Sequence, residues 1–203
     1  DPTETNFSSI ATAIKASNPD ATLVIAFDQT KPLLKALASA GVEMSKLYFV
    51  DGNTSDYSSE LDAGLLKGSK GTIPGVNPSD DFIKRLESTG VDLKNTTTYA
   101  AETYDGIILA ALAAQKGGSA DGKTIQANMA AVSGADGGEK CDSYKACLAL
   151  LKDGKDIQYQ GQTGIGPFNK NNDPSSANIG VYTFDGDNKP VFDHTQSGDV
   201  PTD

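Results

Sequence analysis

The sequence predicts an α/β protein whose helices pack on doubly wound parallel sheets. Hydrophobic residues form 37% of the 203 residues and recur in short blocks separated by Gly, Pro and Asn. This pattern is typical of a chain that alternates strands with helices. A strand pattern at 21–27, a helix pattern at 31–40 and a strand pattern at 47–50 follow one another with short connections. This order predicts a βαβ unit of a parallel sheet.

The first third of the chain shows five periodic segments. Residues 7–16 have the apolar spacing of an amphipathic helix, which ends before an Asn-Pro pair. Residues 21–27 are continuously apolar, as expected of a strand buried on both faces. The helix at 31–40 stops before a glycine, a residue that often closes helices. Residues 47–50 are predicted to form a second buried strand, and 57–66 a weak helix.

The middle of the chain is predominantly helical. Residues 71–78 combine a strand end with a Pro- and Gly-rich connection, the composition expected where a chain leaves one lobe for another. Helices are predicted at 79–88, 102–115, 123–132 and 143–152. The inner stripe of the longest helix is predicted to contain Tyr104, Ile107, Ile108, Ala111 and Leu112.

The last third changes to a β pattern. Residues 164–168 and 179–184 are predicted to form a hairpin across the turn 169–174. The polar tail 193–203 is predicted to be frayed. A doubly wound lobe normally begins with a strand, whereas this chain begins with a helix pattern, so we expect an N-terminally incomplete lobe.

Charge and residue types exclude several classes of function. The net charge is −10 and the 17 Lys and Arg residues are scattered, so nucleic acid and direct membrane binding are not expected. No apolar run approaches the roughly 20 residues that span a bilayer. The single histidine, His194, lies in the polar tail, so a triad that needs imidazole has no base. We therefore expect neither an enzyme nor a cofactor or metal site.

Cys141 and Cys147 are the two cysteines of the chain. Two ligands alone cannot complete a tetrahedral zinc site, so we predict a local disulfide and an oxidising compartment. Two unpaired buried thiols are the alternative, because periodicity cannot establish pairing.

Polar residues follow both predicted strands of the βαβ unit. Phe27 ends the first strand and Asp28 follows it, and Asp51 and Gly52 come after the second strand. Ligands of open α/β sheets bind just beyond the carboxyl ends of the strands. A carboxylate there can accept charge-assisted hydrogen bonds from a ligand ammonium, while Phe27 supplies an apolar wall. Helix capping by Asp28 and turn formation by Asp51 and Gly52 are the alternatives.

Several segments, taken in order, resemble the periplasmic branched-chain amino-acid-binding proteins of ABC transporters, which have the type I periplasmic-binding fold. These segments are Phe7-Ser8-Ser9-Ile10, Ser17-Asn18-Pro19-Asp20-Ala21, Leu37-Ala38-Ser39-Ala40-Gly41, Tyr104-Asp105-Gly106 and Gly154-Lys155-Asp156-Ile157-Gln158-Tyr159-Gln160-Gly161. The resemblance covers nearly the whole chain but only the later part of a full family member.

The resemblance implies two lobes that are hinged by three crossovers, with the ligand in the cleft. Residues 1–74 would belong to the second, C-terminal lobe and 75–165 to the first, N-terminal lobe. Residues 166–203 would form a hinge hairpin and a return strand to the second lobe. Two crossovers are predicted, near 72–78 and 166–184.

The resemblance also implies site residues. Phe27 lies at a position that is usually aromatic, and Asp51 matches the acidic residue that meets the ligand ammonium. Glu102 and Tyr104 would approach the cleft from the other lobe.

The implied function is delivery of a small polar ligand to an ABC importer. The ligand would be an amino acid of the branched-chain type or a related compound, and permease subunits would be the protein partners. Such a protein is exported to the periplasm or to the outer face of the cell membrane. The alternatives are a ligand-sensing domain of a receptor or regulator with the same fold, a hydrolase, and a structural remnant that binds nothing.

Overall fold

The computed structural model describes residues 4–93 and 96–200. The helices are α1 (Ser8–Ser17), α2 (Thr30–Ser39), α3 (Asp80–Glu87), α4 (Ala100–Gly117), α5 (Gly122–Ser133) and α6 (Tyr144–Lys152). The strands are β1 (Thr22–Val24), β2 (Leu47–Val50), β3 (Lys70–Pro74), β4 (Glu139–Cys141), β5 (Ile157–Tyr159), β6 (Ser176–Phe184) and β7 (Pro190–Asp199). Among the described residues, none of the helices is sufficiently long and apolar to span a bilayer.

The chain divides into two compact units. The first contains Asp1–Pro74 and Gly180–Thr195, and the second contains Gly75–Ile179 and Gln196–Asp203. The chain therefore passes from one unit to the other after Pro74, after Ile179 and after Thr195. Which unit corresponds to which lobe of the family stays a prediction.

A five-stranded sheet has the strand order β1-β2-β3-β6-β7. The first unit contains β1, β2, β3, the part of β6 from Gly180 onward and the part of β7 up to Thr195. β1 pairs with β2 in parallel, and β2 pairs with β3 in parallel. The predicted α/β class with a mostly parallel central sheet is confirmed. Val24, Leu47 and Phe49 point to the face on which Ala11 of α1 and Leu34 of α2 are buried. This face forms the hydrophobic core of the unit.

The opposite face of β1 differs from the prediction of a strand buried on both sides. The regular strand covers only Thr22–Val24. Leu23, Ile25 and Phe27 are 60%, 76% and 77% exposed. Alternate residues of an extended chain point to opposite faces, so the helices on one face of the sheet cannot cover these three side chains.

The segment 57–66 forms turns and not the predicted helix. The buried side chain of Asn188 bonds to the backbone of this segment. The Asn188 Oδ1 atom accepts a hydrogen bond from the Leu66 N–H at 2.9 Å, and Nδ2 donates to the Asp62 carbonyl at 2.9 Å. Contacts with a residue so distant in sequence override a weak local helix preference.

The second unit packs α4, α5 and α6 with a two-stranded parallel sheet of β4 and β5. Neither strand is predicted by the sequence, because each has three residues and no periodic pattern. The inner face of α4 also differs from the prediction: Ala101, Asp105, Leu109, Leu112 and Ala113 are buried, and Ile107 is 63% exposed. The predicted stripe did not include Asp105, which is buried on this face.

The predicted hairpin of the last third is wrong in its first strand. Residues 164–168 are not a strand, and only an isolated bridge joins Phe168 to Pro174. Instead β6 and β7 are neighbours, joined by a turn in which Asp185 N–H donates to the Lys189 carbonyl at 3.0 Å. The polar segment from 193 to 199 belongs to β7 and is not frayed, while 201–203 lie outside the described residues. The sequence did not indicate this strand because β7 is an outer strand of the sheet, and its residues are mostly exposed and polar.

A disulfide joins Cys141 of β4 to Cys147 of α6, as predicted. Both half-cystines are buried in the core of the second unit.

Removal of this disulfide is expected to destabilise the protein. Closing a loop of about seven residues contributes about 2.4 kcal/mol by chain entropy, so the double variant C141A/C147A should lose about this free energy of unfolding. Urea denaturation of the oxidised protein, the reduced protein and the double variant measures the difference. An unchanged denaturation midpoint in the double variant would contradict the prediction.

Candidate functional site

The tips of β1 and β2 in the first unit are joined by one buried side chain, Asn53. It is 1% exposed and lies in the short 3-10 helix Asp51–Asn53 that follows β2. Its Nδ2 atom donates to the Val24 carbonyl at 2.8 Å, and its Oδ1 atom accepts from the Val50 N–H at 2.7 Å. The amide therefore connects the last residue of β1 with the last residue of β2.

Three of the predicted site residues lie together at this edge of the sheet. Cδ1 and Cε1 of the Phe27 ring are 3.5 Å from the position that a Cβ atom would take on Gly52, so the ring lies next to this glycine. Asp51, directly before Gly52, has a positive φ of 47° and is exposed. The arrangement combines an exposed aromatic ring, an exposed carboxylate and a residue without a side chain. Asp28 follows Phe27 and is also exposed.

Tyr57 is a buried residue that bonds to the same short 3-10 helix. Its hydroxyl donates to the Asn53 carbonyl at 2.8 Å. Burial raises the pKa of Tyr57 to about 12, so the hydroxyl stays protonated and remains a donor at neutral pH. The loop that carries Asp51 and Gly52 is thus held at Asn53, through both the side chain and the backbone carbonyl of that residue.

Glu102, predicted from the second unit, lies in the first turn of α4. Its Oε1 atom accepts a hydrogen bond from the Val76 N–H at 2.9 Å. Its Oε2 atom is buried and has no hydrogen-bond partner among the described residues. Gly75 has a φ of 108°, and a Cβ atom on it would collide with the carboxylate of Glu102.

Tyr104, the last predicted site residue, packs against α3. Its ring centroid is 5.3 Å from that of Phe82 with an edge-to-face geometry. The guanidinium carbon of Arg85 lies 4.9 Å from the Tyr104 centroid and 5.3 Å from the Phe82 centroid. The ring of Tyr104 is therefore held by an aromatic and a cation–π contact.

Asp105 is a buried acidic residue that the sequence analysis did not select. It is 4% exposed. Its Oδ1 atom accepts from the Tyr159 hydroxyl and the Gln162 N–H, each at 2.9 Å. Its Oδ2 atom accepts from the N–H and the hydroxyl of Thr163, each at 2.8 Å. Burial, together with the negative charge of Asp105, raises the pKa of Tyr159, so its hydroxyl remains a donor to Asp105.

A family model described as periplasmic binding protein matches residues 1–145. The match covers more than half of the 203 residues. The chain belongs to the periplasmic binding protein family. This membership supports a solute-binding role at an extracytoplasmic location, and it confirms the type I periplasmic-binding fold class that the sequence resemblance implied. Proteins of this family are typically not enzymes.

One solved structure similar to this periplasmic binding protein is described as the crystal structure of an ABC transporter permease from the Pseudomonas fluorescens group. The sequences are 19% identical, the match covers 93% of this chain and 46% of that chain, and the TM-score is 0.47. The chain thus spans about half the length of that structure. No curated protein matches the sequence.

In this periplasmic binding protein, the structure brings Phe27, Asp51 and Gly52 together within the first unit, and places Glu102 and Tyr104 within the second. The sequence analysis missed Asn53 and Asp105. A signal for Asp105 was present, because it lies four residues from Ala101 and from Leu109 on one helical face. Asn53 follows a common turn pair, so nothing in the sequence distinguishes it from an ordinary turn residue.

Proposed function

We propose that this chain is part of an extracytoplasmic solute-binding protein that delivers an amino acid of the branched-chain type, or a related small polar compound, to the permease subunits of an ABC importer. Closure of the lobes around the solute would produce the form that the transporter recognises. The observation that carries the proposal is the exposed Phe27 ring next to Gly52, the residue after the exposed Asp51, at the carboxyl ends of two parallel strands.

The chemistry of these residues fits an amino acid. The Phe27 ring offers an apolar surface for an aliphatic side chain, and it is 77% exposed. The Asp51 carboxylate is an acceptor for the solute ammonium. Gly52 leaves the space beside the ring open, because any other residue would place a side chain against Phe27. Asp28 is a second proposed acceptor at the same edge.

Glu102 and Tyr104 are the proposed contacts from the second unit. Because the Val76 N–H occupies the Oε1 atom of Glu102, its Oε2 atom is the acceptor that remains for a solute donor. Tyr104 is partly exposed and would offer its hydroxyl.

Calorimetric titration of the purified protein with a panel of aliphatic amino acids tests the proposal. We expect at least one amino acid to bind. The substitution Asp51→Asn should weaken its binding about 10- to 100-fold, because a hydrogen bond to a charged group contributes about 1.5–3 kcal/mol. The exposed Asp62→Asn is the matched control and should leave the affinity unchanged.

A carboxylic acid with the same side chain but no ammonium group serves as a second control. Its affinity should not respond to Asp51→Asn, since its partner group is missing. If no member of the panel binds, the proposed function is wrong. If an amino acid binds equally well to the wild type and to Asp51→Asn, the role of Asp51 is wrong.

A further inference from the structure

The chain passes between the two units at three places, and hydrogen bonds within the second unit connect the residues next to these places. These residues of the second unit include Gly75, Asn178 and Ser197. The Asn178 carbonyl accepts a hydrogen bond from the Gly75 N–H at 2.7 Å. The Asn178 Oδ1 atom accepts one from the Ser197 hydroxyl at 2.6 Å. One residue therefore contacts all three connecting segments.

Asn178 is in turn attached to the body of the second unit. Its Nδ2 atom donates to the Thr163 carbonyl at 2.9 Å. The N–H and the hydroxyl of Thr163 are both bound by the buried carboxylate of Asp105 on α4. The side chain of Asn178 thus uses its donor toward the helix and its acceptor toward the third connecting segment.

The first connecting segment has its own attachment to the same helix. Glu102 lies three residues before Asp105 on α4, and it accepts the hydrogen bond from Val76, the residue after Gly75. Residues three apart are neighbours on one side of a helix. Glu102 therefore holds the first connecting segment directly. Asp105, one turn further along the helix, holds the second and third segments indirectly, through Thr163 and Asn178.

The bonding pattern requires the amide of asparagine. An aspartate at 178 would keep an acceptor for Ser197 but would place an oxygen against the Thr163 carbonyl. A leucine of similar size would lose both bonds and leave a carbonyl and a hydroxyl without their partner. Asparagine is the residue of this length that offers one donor and one acceptor from the same group.

We propose that Asn178 is a positioning residue that makes the three connecting segments bend as one, so that it sets the balance between the open and closed states of the solute-binding protein without contacting the solute. The role in closure rests on the proposed function. The mechanical tie among the segments does not, since it follows from hydrogen bonds inside the second unit. Hinges absorb motion in a few residues, which lie here at the end of β3 and within β6 and β7. A shared anchor makes their movements interdependent.

Hydrogen–deuterium exchange on the whole protein tests the tie without any solute. The substitution Asn178→Ala keeps the backbone carbonyl that accepts from Gly75 but removes the side-chain bonds to Thr163 and Ser197. If these two bonds, at about 1 kcal/mol each, hold the three segments together, their loss should raise amide exchange at least about fivefold in all three (74–79, 175–180 and 195–199). The substitution Ser197→Ala removes one bond and should raise exchange only in 195–199. Asn171→Ala, in an exposed turn, is the control and should change none of the three.

Increased exchange confined to 175–180 in Asn178→Ala would overturn the proposal, because it would indicate a local role. If this variant does not fold, Ser197→Ala decides: unchanged exchange in 195–199 would overturn the proposed connection among the segments.

Small-angle scattering with and without a bound amino acid tests the role in closure. An Asn178→Ala protein that closes as the wild type does would overturn that role. Failure of the wild type to bind any amino acid would refute the proposed function, while the exchange result would still decide the tie.

Discussion

Replacement of Asp105 by alanine should destabilise the protein by about 3–5 kcal/mol. The carboxylate accepts four hydrogen bonds, from the Tyr159 hydroxyl, the Gln162 N–H and both donors of Thr163. Without it, these donors are left in the interior of the second unit, and each buried donor without a partner costs about 1–3 kcal/mol. Gly161 lies too close to the carboxylate for any side chain, which shows how tightly the loop 161–163 closes over it.

Urea denaturation measures this loss of stability, and the exposed Asp136→Ala in the same unit is the matched control. A surface substitution of this kind should change the free energy of unfolding by no more than about 0.5 kcal/mol. Asp105→Asn preserves the volume but directs an amide group at donors, so it should be nearly as harmful as alanine. A loss below about 1 kcal/mol for Asp105→Ala would mean that water replaces the carboxylate, contrary to the expectation.

Asn53→Ala is the second substitution with a large expected effect, about 2–4 kcal/mol. It leaves the Val24 carbonyl and the Val50 N–H without their side-chain partner at the ends of β1 and β2. It also releases the segment that carries Asp51 and Gly52. We therefore expect both a lower thermal midpoint and, at temperatures where the variant is folded, weaker binding of the amino acid found in the calorimetric panel.

Asn77→Ala, at an exposed position, is the control for Asn53→Ala. Asn53→Asp separates packing from hydrogen bonding, because it has the same shape but lacks the donor to Val24. It should be destabilised as alanine is. An Asn53→Asp protein with wild-type stability would show that the bond to Val24 contributes nothing.

The sequence was sufficient for the elements whose signal is local. The helix predicted at 31–40 matches α2, and the strand predicted at 47–50 matches β2, because each is a periodic or apolar block closed by turn residues. The closeness of Phe27 and Gly52 also follows from the sequence, since parallel neighbouring strands place their carboxyl ends at one edge.

The sequence was insufficient where a distant partner decides the conformation. β4 and β5 have three residues each, and what defines them is their pairing with each other. Asp105 was not selected from the sequence, since carboxylates are mostly exposed in proteins and its donors lie more than fifty residues further along the chain. The role of Glu102 as a ligand contact stays a prediction, and its hydrogen bond from Val76 was not predictable because it depends on how the backbone bends at Gly75.

The exposed side of β1 has a consequence for the behaviour of the protein in solution. β1 is an outer strand of the described sheet, and Leu23 within it and Ile25 just after it are exposed on a side open to water. The unpaired backbone N–H and C=O groups of an edge strand can pair with a strand of another copy of the protein. The net charge of −10 opposes this association by mutual repulsion of the copies. At physiological ionic strength the repulsion is screened beyond about 8 Å, so we expect association of copies through β1 to increase with the salt concentration.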